Sequence, residues 1–88
     1  MIGVLIEKEQ IGNYRIIPAE VNRKTELRDK LIAARRLGNE FKSKVGIAFQ
    51  TEDGPVRIET TVWLLTEDYI QIKNGVVIPL RALIDVDF

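Results

Sequence analysis

The sequence predicts an α+β domain: an N-terminal β-hairpin, one amphipathic helix over about 23–37, then a curved antiparallel sheet or small β-barrel of four to five strands. Three observations predict it. Apolar residues recur at helical spacing in a single segment, the second half of the chain alternates with period two, and turn signals separate the alternating runs. At 88 residues the chain has room for one domain, and no linker, repeat or low-complexity run divides its segments 1–22, 23–38 and 43–88.

Residues 1–22 offer two short apolar runs, Ile2 to Ile6 and Tyr14 to Ile17, around Gly12-Asn13. That dipeptide accepts the positive φ of a tight turn, so the segment reads as a hairpin. Pro18 ends the second run because it has no N–H to give a ladder. Asn22 or Thr25 can cap the next element by accepting a bond from a free backbone N–H.

From Arg23 to Leu37 the strong helix formers dominate, and Leu27, Leu31 and Ala34 recur at i, i+4 and i+7. Gly38 stands where a helix ends on a left-handed residue. On a helical wheel the three apolar residues lie within about 60° of arc, with Ile32 nearly opposite beside Arg28, Arg35 and Arg36. Ile32 is either an ordinary exposed apolar side chain or a partner contact.

Residues 43–88 are rich in β-branched residues and carry turn signals at Asp53-Gly54-Pro55, Glu67-Asp68 and Asn74-Gly75. These divide the segment into four strands. Asn74-Gly75 is the strongest of them, since a two-residue type I′ turn needs positive φ at both positions. In the last strand Ile84, Val86 and Phe88 alternate with Asp85 and Asp87, predicting a buried face that includes Phe88 and an acidic face. The run 56–65 alternates through Glu59 and is then apolar on both faces from Val62 to Leu65. Its second half needs cover on two sides. Trp63, Leu65 and Tyr69 either pack under the chain's own helix or form an oligomer interface, where Trp and Tyr are enriched.

Composition removes most chemistry. There is no Cys and no His, and Ser43 is the only serine. Disulfides, thiolate metal sites, imidazole acid–base catalysis and the usual nucleophile–base pairs are thereby excluded. The glycines form no phosphate-cradling loop. Asp85 and Asp87, with Glu67 or Asp68, have the oxygen ligands for a hard cation, but acids alternating along a strand more commonly keep its edge from pairing. The expectation is a non-enzyme without cofactors. The first ten residues lack the basic start and apolar core of a signal peptide, and no run reaches the roughly 18 apolar residues of a membrane span. A cytoplasmic protein without a membrane partner is expected.

Thirteen Lys and Arg balance thirteen Asp and Glu. The neutral total conceals a split: 23–44 holds eight basic and three acidic residues, a balance of +5, whereas 45–88 holds three and seven, a balance of −4. Helix and sheet can attract each other within the fold, the helix of one copy can meet the sheet of another, or Arg28, Arg35 and Arg36 can contact phosphates.

Two stretches carry a family resemblance. Glu67-Asp68-Tyr69-Ile70-Gln71 is similar in spacing to the Asp-x-aromatic-Met-Asn motif of the Sm-like class of SH3-type small β-barrels. Leu80-Arg81-Ala82-Leu83-Ile84-Asp85-Val86 resembles that family's apolar-Arg-Gly motif with alternating apolar residues beyond it. Glu stands for Asp, Gln for Asn and Ala for Gly, and the family lacks a hairpin like that of residues 1–17. The resemblance covers residues 23–88. It implies a helix capping a strongly bent five-stranded sheet, with Thr60-Thr61 at the bend, and it gives Gln71 and Arg81 the positions that hold a base. Two functions stand as expectations. The first is a non-catalytic protein-interaction or assembly module that self-associates, with Ile32, Trp63, Leu65 and Tyr69 in contact. The alternative is an RNA- or DNA-binding protein using Arg28, Arg35, Arg36, Gln71 and Arg81.

Overall fold

The computed structural model describes residues 3–88. In chain order it contains β1 (Val4–Leu5), a 3-10 helix (Lys8–Asn13), α1 (Lys24–Phe41), β2 (Val45–Thr51), β3 (Gly54–Thr60), β4 (Val62–Leu65), β5 (Tyr69–Ile72), β6 (Val77–Pro79), a 3-10 turn (Leu80–Ala82) and β7 (Leu83–Asp87). The strands form a four-stranded sheet of order β1-β3-β2-β7 and a three-stranded sheet of order β4-β5-β6. The fold is therefore α+β, built on two open sheets rather than a closed barrel.

The larger sheet is organised by the β2–β3 hairpin, whose pairing runs from Val45↔Thr60 to Thr51↔Gly54. Its turn uses Gly54 at φ 107°. The buried Thr51 hydroxyl donates to the Gly54 carbonyl at 2.7 Å and accepts from the Asp53 N–H at 3.2 Å. Such local bonds satisfy the turn's backbone without water. β7 pairs with β2 across an irregularity between Ala48 and Phe49, where Ala48 faces Asp85 and Phe49 faces Leu83. The extra residue lets both Leu83 and Val86 turn inward.

This hairpin recruits the N-terminal segment. Among the described residues no N-terminal hairpin forms: β1 lies parallel to β3, with Val4 opposite Val56 and Leu5 opposite Arg57. Ile2, the start of the first apolar run, falls outside the described residues. Gly12-Asn13 closes a 3-10 helix instead of a turn, and Gly12 does not take the positive φ a type I′ turn requires. The Glu7 N–H donates to Gln10 Oε1 at 2.9 Å at the start of that helix. The second run goes to the turn end of the hairpin, where Ile16 bridges Thr51 and the Ile17 N–H donates to the Gln50 carbonyl at 3.1 Å. Both apolar runs thus find the long hairpin a better partner than each other.

α1 buries Leu27, Leu31 and Ala34, as their spacing predicts, and it also buries Gly38. Asn22 Oδ1 accepts the Lys24 N–H at 2.9 Å and so serves the first turn. The helix does not stop at Leu37. It runs on to Phe41, and Lys42 takes the left-handed conformation at φ 53°, donating its N–H to the Gly38 carbonyl at 3.0 Å. Gly38 is there for packing: a Cβ would overlap the Val62 carbonyl oxygen and crowd Thr61. Its missing side chain lets the helix lie against the backbone of β4.

The apolar run 56–65 breaks at Thr61, with β3 in one sheet and β4 in the other. Between Val62 and Leu64 the pairing with β5 shifts by a residue. Val62 and Leu65 consequently pack inward while Trp63 and Leu64 stay exposed, so the two-sided cover expected from the sequence is not built. Asn74-Gly75 joins β5 to β6, yet not as a two-residue type I′ turn. Of the two, only Gly75 has positive φ, at 84°. Residues 73–75 form the loop, closed by the Gly75 N–H donating to the Ile72 carbonyl at 2.8 Å and the Ile72 N–H to the Val76 carbonyl at 3.0 Å. Asn74 Oδ1 accepts the Val76 N–H at 3.2 Å, which makes a left-handed backbone at Asn74 unnecessary.

The core between the sheets and α1 holds Leu31, Ile47, Phe49, Ile58, Ile70, Ile72, Ile78 and Val86, all fully buried. Phe88 is not part of it. The ladder ends at Gly46↔Asp87, and Phe88 lies beyond it, 64% exposed.

Candidate interaction surfaces

Side chains directly opposite each other on paired strands share a face, so the register of the three-stranded sheet assigns its two sides. Ile70 pairs with Ile78 and Val62 with Ile72, and all four are buried. The other side carries one row formed by Leu64, Gln71 and Val77, and a second formed by Tyr69 and Pro79. Leu64 is 41% exposed and Val77 45%. None of these five side chains is charged, in a chain with 30% charged residues. The Glu67-Asp68 turn lies at one end of β5 and Lys73 at the other. Thr66 fixes the acidic end: its hydroxyl accepts the N–H groups of Asp68 at 3.2 Å and Tyr69 at 3.0 Å.

Where β4 and the helix end meet, a cleft of about 540 Å³ opens. Trp63 and Thr61 line it from the strand side, Asn39 and Lys42 from the end of α1, and Lys44 and Lys73 complete it. Trp63 is 48% exposed. None of the three lysines is ion-paired among the described residues. Among those residues no carboxylate lines the cleft. Lys44 also borders a smaller hollow together with Glu7, Lys8 and Glu59.

The residues singled out from the sequence are spread over several surfaces. Trp63 and Tyr69 belong to the smaller sheet, Trp63 on its bulge and Tyr69 on its outer face. Leu65 is half-buried and packs against the core, and Ile32 is exposed on α1. Gln71 lies at the centre of the outer face, its Nε2 donating to the Gly75 carbonyl at 3.4 Å. Arg81 sits in the 3-10 turn beyond Pro79, beside a shallow hollow of about 100 Å³ formed with Ile16 and Pro18. Gln71 and Arg81 do not line a common cleft, nor do they meet Arg28, Arg35 and Arg36, which are exposed on α1. Arg36 is held by Glu40 at 3.3 Å, one helical turn along. Two helix lysines bind the acidic half of the chain, Lys24 to Asp68 at 3.7 Å and Lys30 to Asp85 at 3.5 Å. Part of the charge split is therefore resolved within the fold. These exposed pairs each contribute little, typically under about 1 kcal/mol.

Sequence reasoning missed Leu64, Val77 and the lysine cluster. The alternation of Tyr69 and Gln71 against Ile70 and Ile72 already divides β5 into two faces. The bulge that exposes Trp63 and Leu64 together leaves no mark in the sequence. The exposed Glu9 carboxyl is held below its ordinary value, first by a backbone hydrogen bond and then by neighbouring Lys8. It lies outside both surfaces. Among the described residues no group of acidic side chains is placed to hold a metal, and no helix is long and apolar enough to cross a membrane. Comparison of the chain with protein-family models, curated proteins and solved structures finds no match.

Proposed function

We propose that the protein is a non-catalytic interaction domain that pairs with a second copy of itself through the outer face of the three-stranded sheet. The observation that carries this is the open, uncharged surface of Leu64, Tyr69, Gln71, Val77 and Pro79, flanked by acid at one end and base at the other. A two-fold interface brings the same patch of each copy together. With the strands of the two copies antiparallel, each Glu67-Asp68 turn meets the other's Lys73. The apolar rows supply the burial and the charged ends fix the register.

Light scattering across a concentration series reads the association directly. The expected result is a monomer–dimer equilibrium that high salt weakens only modestly, since the apolar contribution is insensitive to screening. Leu64→Asp should leave a folded monomer. Glu67→Lys should weaken the dimer, and adding Lys73→Glu to it should restore much of the loss by reversing the pairing. A monomer at every concentration, or a Leu64→Asp variant that still dimerises, would overturn the proposal.

A further inference from the structure

The lysine-lined cleft is a different kind of surface from the sheet face, being concave, basic and lined on one side by a large aromatic. We infer that it binds a nucleoside phosphate, with the base against the Trp63 indole and the phosphates on Lys42, Lys44 and Lys73. Four observations on the same site support this. The volume of about 540 Å³ falls within the range of small-molecule sites. The bulge in β4 leaves Trp63, 48% exposed, on the wall of this cleft. Three lysines line it, none of them ion-paired among the described residues, so their charges are not used up by the fold. Finally, the Lys42 backbone is held by the left-handed cap of α1 and does not hang from a loose loop.

The combination selects the ligand class. Lysines alone accept any anion, and an exposed indole alone accepts any flat or apolar group. Together they favour a ligand that is planar at one end and multiply anionic at the other, because stacking and phosphate contact reinforce each other. Asn39 and Thr61 add neutral hydrogen-bonding groups at the wall, the kind that orient a base edge or sugar hydroxyl. Lys73 borders both the cleft and the sheet face, whereas Lys42 and Lys44 lie away from that face. The inference therefore does not rest on self-association.

Trp63 is the only tryptophan in the chain, so its fluorescence reports the site without labelling. The experiment titrates the full chain with ATP free of divalent cations and, separately, with a deca-thymidylate, following quenching as salt is raised. The expected result is saturable quenching by one or both. Quenching by ATP alone identifies a free nucleotide as the source of the phosphate, and tighter binding of the oligonucleotide identifies a single strand. For the strand, three lysine contacts predict a log–log salt slope near −2, or roughly a 20-fold loss between 50 and 200 mM. The double variant Lys42→Ala and Lys44→Ala, both at exposed positions, should cut affinity for either probe about tenfold or more and bring the strand's slope to about −0.7. Arg28→Ala with Arg35→Ala should change neither. Absence of quenching by both probes at 50 mM salt, or unchanged binding in the double lysine variant, would overturn the inference.

Discussion

The two sheets of this molecule treat their outer sides in opposite ways. On the four-stranded sheet the outer rows are Leu5, Arg57, Ala48 and Asp85, and Glu59, Gly46 and Asp87. Charged side chains thus flank small residues on the central strand, with Lys30 of α1 closing over Asp85. Such a face is largely charged or small: Leu5 on the edge strand is the exposed apolar side chain of these rows, and Arg57 Nε is buried there without a hydrogen-bond partner. The outer rows of the three-stranded sheet are Leu64, Gln71 and Val77, and Tyr69 and Pro79, with no charge and, among the described residues, no covering element. One chain with one composition therefore builds a surface suited to water beside one that is not. The second is where function is to be sought, since isolated exposed apolar residues are ordinary but register-aligned rows of them are not.

The comparison is sharpest at the edge of the smaller sheet, which is covered although its face is open. α1 presses on β4 at Gly38, where a Cβ would meet the Val62 carbonyl. Of the stability changes expected from single substitutions, that of Gly38→Ala should be the largest. It should lose about 2 kcal/mol or more in chemical denaturation, because backbone cannot yield as a side chain end can. The sign is informative. Helix propensity alone favours Ala over Gly by about 1 kcal/mol, so a stabilised variant would show that the helix does not bear on the strand.

A paired substitution tests the two faces directly. Ala48 and Gln71 occupy central strands of their sheets, both pointing away from the core. Ala48→Leu should cost roughly 1–3 kcal/mol, since Ala48 is already buried between Arg57 and Asp85 and extra methylenes must displace them. Gln71→Leu should change the stability of the monomer by no more than about 0.5 kcal/mol, and it should strengthen self-association by enlarging the apolar row. Equal costs at the two sites would erase the distinction on which the proposed function rests.

Much of the architecture was legible in the sequence, for identifiable reasons. The stripe Leu27, Leu31 and Ala34 and the alternation in β5 follow from local periodicity, and the structure places them as that periodicity requires. What was illegible depended on partners distant in sequence. The N-terminal runs read as a hairpin because Gly12-Asn13 lies between them, yet the edge of β3 and the turn end of β2 are the better partners. Gly38 read as a helix stop because glycine usually is one there, whereas its role is set by Val62, remote along the chain. The Trp63 bulge and the meeting of Lys42, Lys44 and Lys73 around one cleft are likewise tertiary facts. Local chemistry predicted elements; only the register of β4 on β5 revealed which apolar residues remain uncovered.

The smallest expected effect concerns Phe88, and it separates alternation from burial. By period two Phe88 belongs with Val86 on the buried side of β7, but the ladder has ended at Asp87 and the ring is exposed. Phe88→Ser should therefore shift the denaturation midpoint by the equivalent of about 0.5 kcal/mol at most. Val86→Ala, two residues earlier and fully buried, should cost roughly 2 kcal/mol. If both substitutions proved costly, Phe88 would have found cover in solution. The open sheet face and a second copy of the chain would then be the first place to look, and the loss at Phe88 should track protein concentration while that at Val86 should not.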